Sequence, residues 1–394
     1  VPVCDLTPVA PGGELIWKLS FPDRDYYVPK PYFADGQHLS KERCQELLEQ
    51  GLAFTVEDLE YPEDAPGDGV VRRDSTMVVL FCDMKGSTEA LVTLGGAFRQ
   101  LQAKFFRLCE DTVKDANNGK WENPKNGTGD AHNAGPAGEH ADDNVGLGRP
   151  CPVTVIDKFV GDGLMLYVDC GPTTELAKKE PLVAGEPDLE PEVVRRGTRM
   201  AAWIIREIAS KFEGALKDAV RKVSDSKDSS LTRDSLTEST RKLGLRFGVA
   251  LGDGIMLSVL GEGTVTDFTL TGAIVNLAAR LEHATAPEFL EAIAARRGEL
   301  SRYTGPIEHE GALRGSQLHR DLVDCDRQVV DVHTVTAQRF QIRANERVVN
   351  CLKQWERPIR LAWCPVPFEA KGFSGAQTAF IVAGKTAGDL FASL

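Results

Sequence analysis

The sequence predicts an α+β domain built on a ferredoxin-like antiparallel sheet with helices packed on one face. Two observations carry this. Once three polar insertions are set aside, the apolar runs follow the order strand, helix, strand, strand, helix, strand. The two middle runs are joined by Gly161-Asp162-Gly163, and an Asp-Gly pair between apolar stretches marks a hairpin.

Residues 1–74 are rich in Pro and Tyr, with a helical stretch at 40–51, and end in the acidic turn-forming linker 63–69. Thr76–Cys82 has strong strand character. Ser87–Ala116 then sets Leu91, Leu94, Phe98, Leu101, Phe105 and Leu108 at helical spacing. From 117 to 150 the composition collapses to Gly, Asn, Asp, His and Ala, which reads as an inserted surface loop. The hairpin Val153–Val160 and Leu164–Val168 follows. A second insertion, 172–191, leads to a long amphipathic helix over Val193–Val223, and a third spans 224–242. Strands are expected at Leu245–Leu251, Ile255–Leu260 and Thr266–Leu270, then a helix over Ala273–Thr285. The last 55 residues show strand-like alternation, and no internal repeat is visible. One domain lengthened by three insertions is therefore expected over 75–338, flanked by segments 1–74 and 339–394 whose roles the sequence leaves open.

Composition narrows the function. Hydrophobic residues make up 42% and charged ones 26% of the 394, enough for a sizeable core. Acidic residues outnumber basic ones, 58 to 46, for a net charge of −12. That balance argues against a nucleic-acid or anionic-membrane surface, while permitting a local basic pocket for a small anion. No run of 18 apolar residues occurs, and Val1–Leu15 lacks a signal-peptide layout, so a cytoplasmic protein is expected. The nine cysteines are scattered without a CxxC pair, as for buried reduced thiols rather than a disulfide scaffold or zinc ribbon.

The chemistry gathers at two carboxylates. In Phe81-Cys82-Asp83-Met84-Lys85-Gly86-Ser87-Thr88 a strand ends in Asp and a Gly-Ser-Thr opens a helix. The amides of Gly86, Ser87 and Thr88 would point at an anion, helped by the positive end of the helix dipole. Asp162 falls at the tip of the neighbouring hairpin, beside the end of the first strand in this fold. Either Asp alone reads as a cap or a turn residue. Together they form a pair able to share two Mg²⁺ or Mn²⁺ ions roughly 3.5–4 Å apart, the spacing for in-line attack on phosphorus. Asn276 and Arg280 are i and i+4 on the later helix, hence on one face. Taken alone, Asn276 reads as a helix-cap residue and Arg280 as a surface residue.

Three segments, Phe81–Thr88, Ile156–Gly163 and Thr269–Leu281, resemble in order the three signature segments of the class III nucleotidyl cyclases. The resemblance covers about 75–338 and reaches neither end. It implies cyclisation of a nucleoside triphosphate to a 3′,5′-cyclic monophosphate and pyrophosphate by a cyclase-type fold working as a head-to-tail dimer. Asp83 and Asp162 match the metal-binding aspartates, with the Met84 carbonyl as a further ligand. Lys158 matches the base-contacting lysine, and Thr269 falls at the second base-selecting position. Asn276 and Arg280 match the pair that orients the ribose and stabilises the transition state. Arg314 is a weaker match to the residue that grips the terminal phosphates. In the family the metal aspartates come from one chain and the other set from its partner; both sets occur here, which implies a homodimer.

Lys158 with Thr269 favours adenine, hence ATP. The alternatives are UTP or CTP, as in cyclases of antiphage defence, and, in another class, an inactive nucleotide-binding regulatory domain. Departures occur as well. Leu251-Gly252-Asp253-Gly254 and Ser258 stand where the family has His-Thr-Gly-Glu and then Val-Gly. The metal aspartates are 79 residues apart, from 83 to 162, wider than usual. His132 and His140 in the first insertion lack Cys partners for a metal site. Gly384-Lys385-Thr386 lacks the upstream glycine of a P-loop, which here is Ala379.

Overall fold

A computed structural model describes residues 6–10, 13–21, 25–29, 41–42, 44–45, 54–55, 70–122, 152–172, 190–225, 240–260, 267–302, 311–354, 363–373 and 377–391. Most of the three insertions, His132, His140, Cys4 and Cys151 lie outside these residues.

The N-terminal segment carries a four-stranded antiparallel sheet, β1 (Leu6–Ala10), β2 (Gly13–Ser20), β3 (Asp25–Pro29) and β4 (Phe54–Thr55), in that order. The main sheet has eight strands. Its centre is β5 (Val70–Lys85), the hairpin β6 (Val153–Val160) and β7 (Gly163–Pro172), and β8 (Gly244–Leu260). These pair antiparallel in the order β8-β5-β7-β6, which is the expected ferredoxin-like order. The short β9 (Asp267–Thr271) pairs with the far end of β8 and comes within contact distance of β6.

The helical stretch after β5 is two helices, α1 (Ser87–Leu94) and α2 (Gly96–Asn117), because Gly95 turns to a φ of 50° between them. With α3 (Glu192–Asp225) they cover one face, packing Phe98, Leu101, Phe105, Ile204, Ile208 and Phe212 against Val78, Leu80, Cys82 and Met84.

The opposite face is covered too, which corrects the one-faced expectation. There α4 (Ala273–His283), α5 (Ala286–Arg302) and α6 (Gly311–Thr336) pack over Met77 and Val79. The physical reason lies in β5. Residues 77–82 are apolar without alternation, and Met77, Val78, Val79 and Leu80 are all buried. A strand buried on both sides reads as a continuous apolar run.

The C-terminal segment continues the main sheet. β10 (Phe340–Ala344) pairs parallel with β8, then come α7 (Glu346–Lys353), β11 (Cys364–Phe368), β12 (Gln377–Gly384) and α8 (Ala387–Phe391). Seven described cysteines are free and buried, in keeping with reduced thiols. Among the described residues no helix is long and apolar enough to cross a membrane.

Candidate active site

β5 and the hairpin tip bring the two aspartates together. The turn between β6 and β7 is Gly161-Asp162, with Val160 opposite Gly163 and Gly161 at a φ of 62°, a conformation glycine adopts freely. The tip packs flush on the end of β5. A Cβ on Gly163 would meet the Cys82 carbonyl oxygen at 2.5 Å and the Asp83 Oδ1 at 3.5 Å. Only a glycine lets Asp162 approach this closely.

Asp162 Oδ2 is buried and has no hydrogen-bond partner among the described residues. An unpaired buried carboxylate oxygen is costly, and a divalent cation is a natural complement to it. Asp83 feels the crowding directly. Its carboxyl is pushed up to about 6, first by burial, then by the charges of Glu282 and Asp162, against the lowering influence of Arg246 and His283. Two facing carboxylates, one with a free buried oxygen, fit a hard cation. Among the described residues no group of three or more His, Cys, Asp or Glu side chains is arranged for a metal, so the set rests on these two and backbone oxygen. Met84 stands opposite Leu245, with its side chain buried and its backbone at the strand end.

The phosphate loop follows at once. Gly86 takes a φ of 80° as the N-cap of α1, and no side chain caps the first amides of that helix. Ser87 and Thr88 open it, so their N–H groups are free to meet an anion.

Arg246 is the residue the sequence reading missed. It lies opposite Asp83 in the β5–β8 register. Its Nη2 lies 3.4 Å from Asp83 Oδ2, and its Nε donates to Glu282 Oε1 at 2.6 Å. Glu282 is buried on α4, with its other oxygen 2.6 Å from His283 Nδ1. The helix reaches this position because β8 has Gly248 beneath it, where any Cβ would collide with Ala278 and Glu282. Arg246 carried no motif signal, since an Arg in a half-buried strand is ordinarily a surface residue.

Asn276 and Arg280 are both exposed on α4. At 3.6 residues per turn, Arg280 lies roughly 200° and Asn276 roughly 240° around the helix from Glu282. They therefore face away from the Asp83 pair of their own chain.

Lys158 lies opposite Met165, itself opposite Phe81, which puts it level with the strand just before Asp83. It is half-buried, with Nζ 3.7 Å from Asp157 Oδ2. Thr269 is opposite Ser258 on β9, the strand that reaches β6. Arg314 lies in the first turn of α6. The side chains of Thr269 and Arg314 lie outside the described residues.

A stability consequence follows from Asp83. Its folded value of about 6 exceeds the ordinary 3.8, so the fold binds the proton more tightly than the unfolded chain. The metal-free protein should therefore lose stability as pH rises through the window from about 4 to about 6. Asp83→Asn removes that charge and is expected to raise the metal-free melting temperature at about pH 8 by roughly 2–4 °C. A lower melting temperature would mean that the Arg246 ion pair outweighs burial.

Among known proteins, no family model and no curated protein matches the chain. Among solved structures it is similar to the adenylyl cyclase CyaB from P. aeruginosa, at 15% identity over 79% of this chain and 95% of that one, TM-score 0.41. It is also similar to the guanylyl cyclase Cya2, at 13% identity over 79% and 93%, TM-score 0.34. A bacterial light-regulated adenylyl cyclase is similar at 13% identity over 80% of this chain and 53% of that one, TM-score 0.35.

Proposed function

We propose that the chain is a nucleotidyl cyclase that converts ATP to 3′,5′-cyclic AMP and pyrophosphate in a site built from two copies of itself. The observation that carries this reading is the buried, unpartnered Asp162 oxygen facing Asp83, beside an uncapped helix start.

In the reaction the ribose O3′ bonds to the α-phosphorus as the bond from that phosphorus to the bridging oxygen breaks. Pyrophosphate leaves with the electron pair, and the 3′ proton passes to solvent. Asp83, Asp162 and the Met84 carbonyl would hold Mg²⁺ or Mn²⁺, which when bound would neutralise charge on the triphosphate and favour ionisation of the 3′ hydroxyl. The Gly86, Ser87 and Thr88 amides receive phosphate oxygens. Asn276 orients the ribose, while Arg280 neutralises charge that grows on the phosphate oxygens. Lys158 approaches a ring nitrogen of the base and Thr269 accepts from its exocyclic amine.

The direction of α4 supports a shared site. Asn276 and Arg280 point away from Asp83 of their own chain, so one triphosphate meets both sets only when a second copy supplies α4. Incubating the purified protein with each of the four nucleoside triphosphates and Mn²⁺ tests the reading. Cyclic AMP from ATP is expected. Cyclic UMP or cyclic CMP as sole product would overturn the adenine assignment, and no cyclic product from any of them would overturn the cyclase reading.

A further inference from the structure

Arg343, on β10, is only 2% exposed, and a buried guanidinium needs strong compensation. Its partners are the end of one helix. Nη1 donates to the carbonyls of Leu281, at 3.1 Å, and Glu282, at 3.0 Å, and also to that of Ala284. These are the C-terminal carbonyls of α4, which lack partners within the helix and face the negative end of its dipole. Nη2 donates to Gln341 Oε1 at 2.8 Å, and the guanidinium lies over the Phe289 ring, 5.4 Å from its centre.

The network runs on toward the phosphate loop. Gln341, also buried, donates from Nε2 to the carbonyls of Thr336 and Gln338 at 3.0 and 2.9 Å. Lys85, the residue before Gly86, donates to the same two carbonyls at 2.7 and 2.9 Å. One chain of hydrogen bonds, buried at Arg343 and half-buried at Lys85, thus joins the end of α4 to the end of β5. Both ends carry site residues: Arg280 on the outer face of α4, Glu282 with its hold on Arg246 on the inner face, and Asp83 on β5.

We infer that Arg343 is a positioning residue for the reaction, fixing the last turn of α4 so that Arg280 and the Glu282–Arg246–Asp83 chain keep their places. This rests on the cyclase reading for its effect on turnover. It gives the C-terminal segment a role in the site without contact to substrate.

Arg343→Met and Arg343→Lys in the full chain test it, with kcat and KM measured alongside hydrogen exchange over residues 276–285 and, for reference, over β5. Misplacement of a reacting group by about 1 Å can cost on the order of 10²-fold in rate. A fall of that size in kcat is expected for Arg343→Met, with KM changed far less and exchange faster in α4 alone. Arg343→Lys, whose ammonium can meet the same carbonyls, should recover most of the loss. A kcat within about twofold of wild type, or exchange accelerated equally in α4 and β5, would overturn the inference.

Should Arg343→Met fail to fold, Gln341→Met removes the Nη2 partner, together with the bonds to the Thr336 and Gln338 carbonyls, and reads the same quantities. Slower turnover with local exchange in α4 supports the role, and unchanged values overturn it. A wild-type chain inert to every nucleotide would overturn the cyclase reading instead. Exchange over 276–285 in the Arg343 variants would then decide the positioning role by itself.

Discussion

Asp162→Asn should leave a folded protein that no longer turns over nucleotide, a loss of about 10³-fold or more. The substitution separates two roles. As a turn residue after Gly161, Asn serves as well as Asp, so the hairpin and the melting temperature should be preserved. As a cation ligand, the neutral amide fails, because the buried Oδ2 position loses the charge that makes it fit a hard ion. Asp83→Ala should be equally inactive, through loss of the facing carboxylate. The direct readout is Mn²⁺ binding by electron paramagnetic resonance on the nucleotide-free protein, expected to weaken strongly in both variants. Wild-type Mn²⁺ affinity and turnover in Asp162→Asn would remove the metal assignment.

Two inactive variants should restore each other. Asp83→Ala lacks the carboxylate half of the site, and Arg280→Ala lacks the guanidinium on the outer face of α4. In a dimer of one copy of each, one site receives both defects and the other receives none. Random pairing in equal amounts makes half the dimers mixed, each with one working site of two, so activity near about a quarter of wild type is expected. Co-expression with two affinity tags isolates the mixed dimer and doubles that specific activity to about a half. The measurement discriminates because a site contained in one chain would give no restoration at all. An inactive mixed dimer would sink the shared site, as would a wild-type monomer with full activity.

Much of the fold was legible because the relevant signals are local. The Gly161-Asp162 turn, the uninterrupted apolar run of 77–82 and the helical spacing of 98, 101 and 105 each depend on a few neighbouring residues. The boundaries of α3, β9 and α4 were close to expectation for the same reason, whereas the two strands expected over 245–251 and 255–260 are one continuous strand, β8, held by its pairing with β5. What escaped depends on distant partners. Helices α5 and α6 have weakly patterned faces, and their place is set by Met77, Val79, Val366 and Phe368 on a sheet surface made of separate strands. The strands β1 to β4 lie in a Pro- and Tyr-rich segment, and three of them are five residues or fewer, so they carry little local signal.

The candidate site divides along the same line. Asp83, Gly86 and Asp162 stand in motifs whose chemistry follows from residue type and spacing, so they could be named from the chain alone. Arg246, Glu282 and Arg343 could not, since no spacing sets them apart and each matters through what it touches. Arg246 meets Asp83 across a ladder between residues 163 positions apart, and Arg343 meets the end of α4 about 60 positions upstream. Charge explains the difference. A chain of −12 identifies its exceptional cations only by their surroundings, and burial turns an ordinary arginine into a fixed charge aimed at particular oxygens. Residue order along the chain therefore specified the sheet and the carboxylate pair. The packing of α4 against Gly248 and the burial of Arg343 decided which cations lie against Asp83 and the end of α4, because electrostatic interactions between residues depend on distance in space and on exclusion of water.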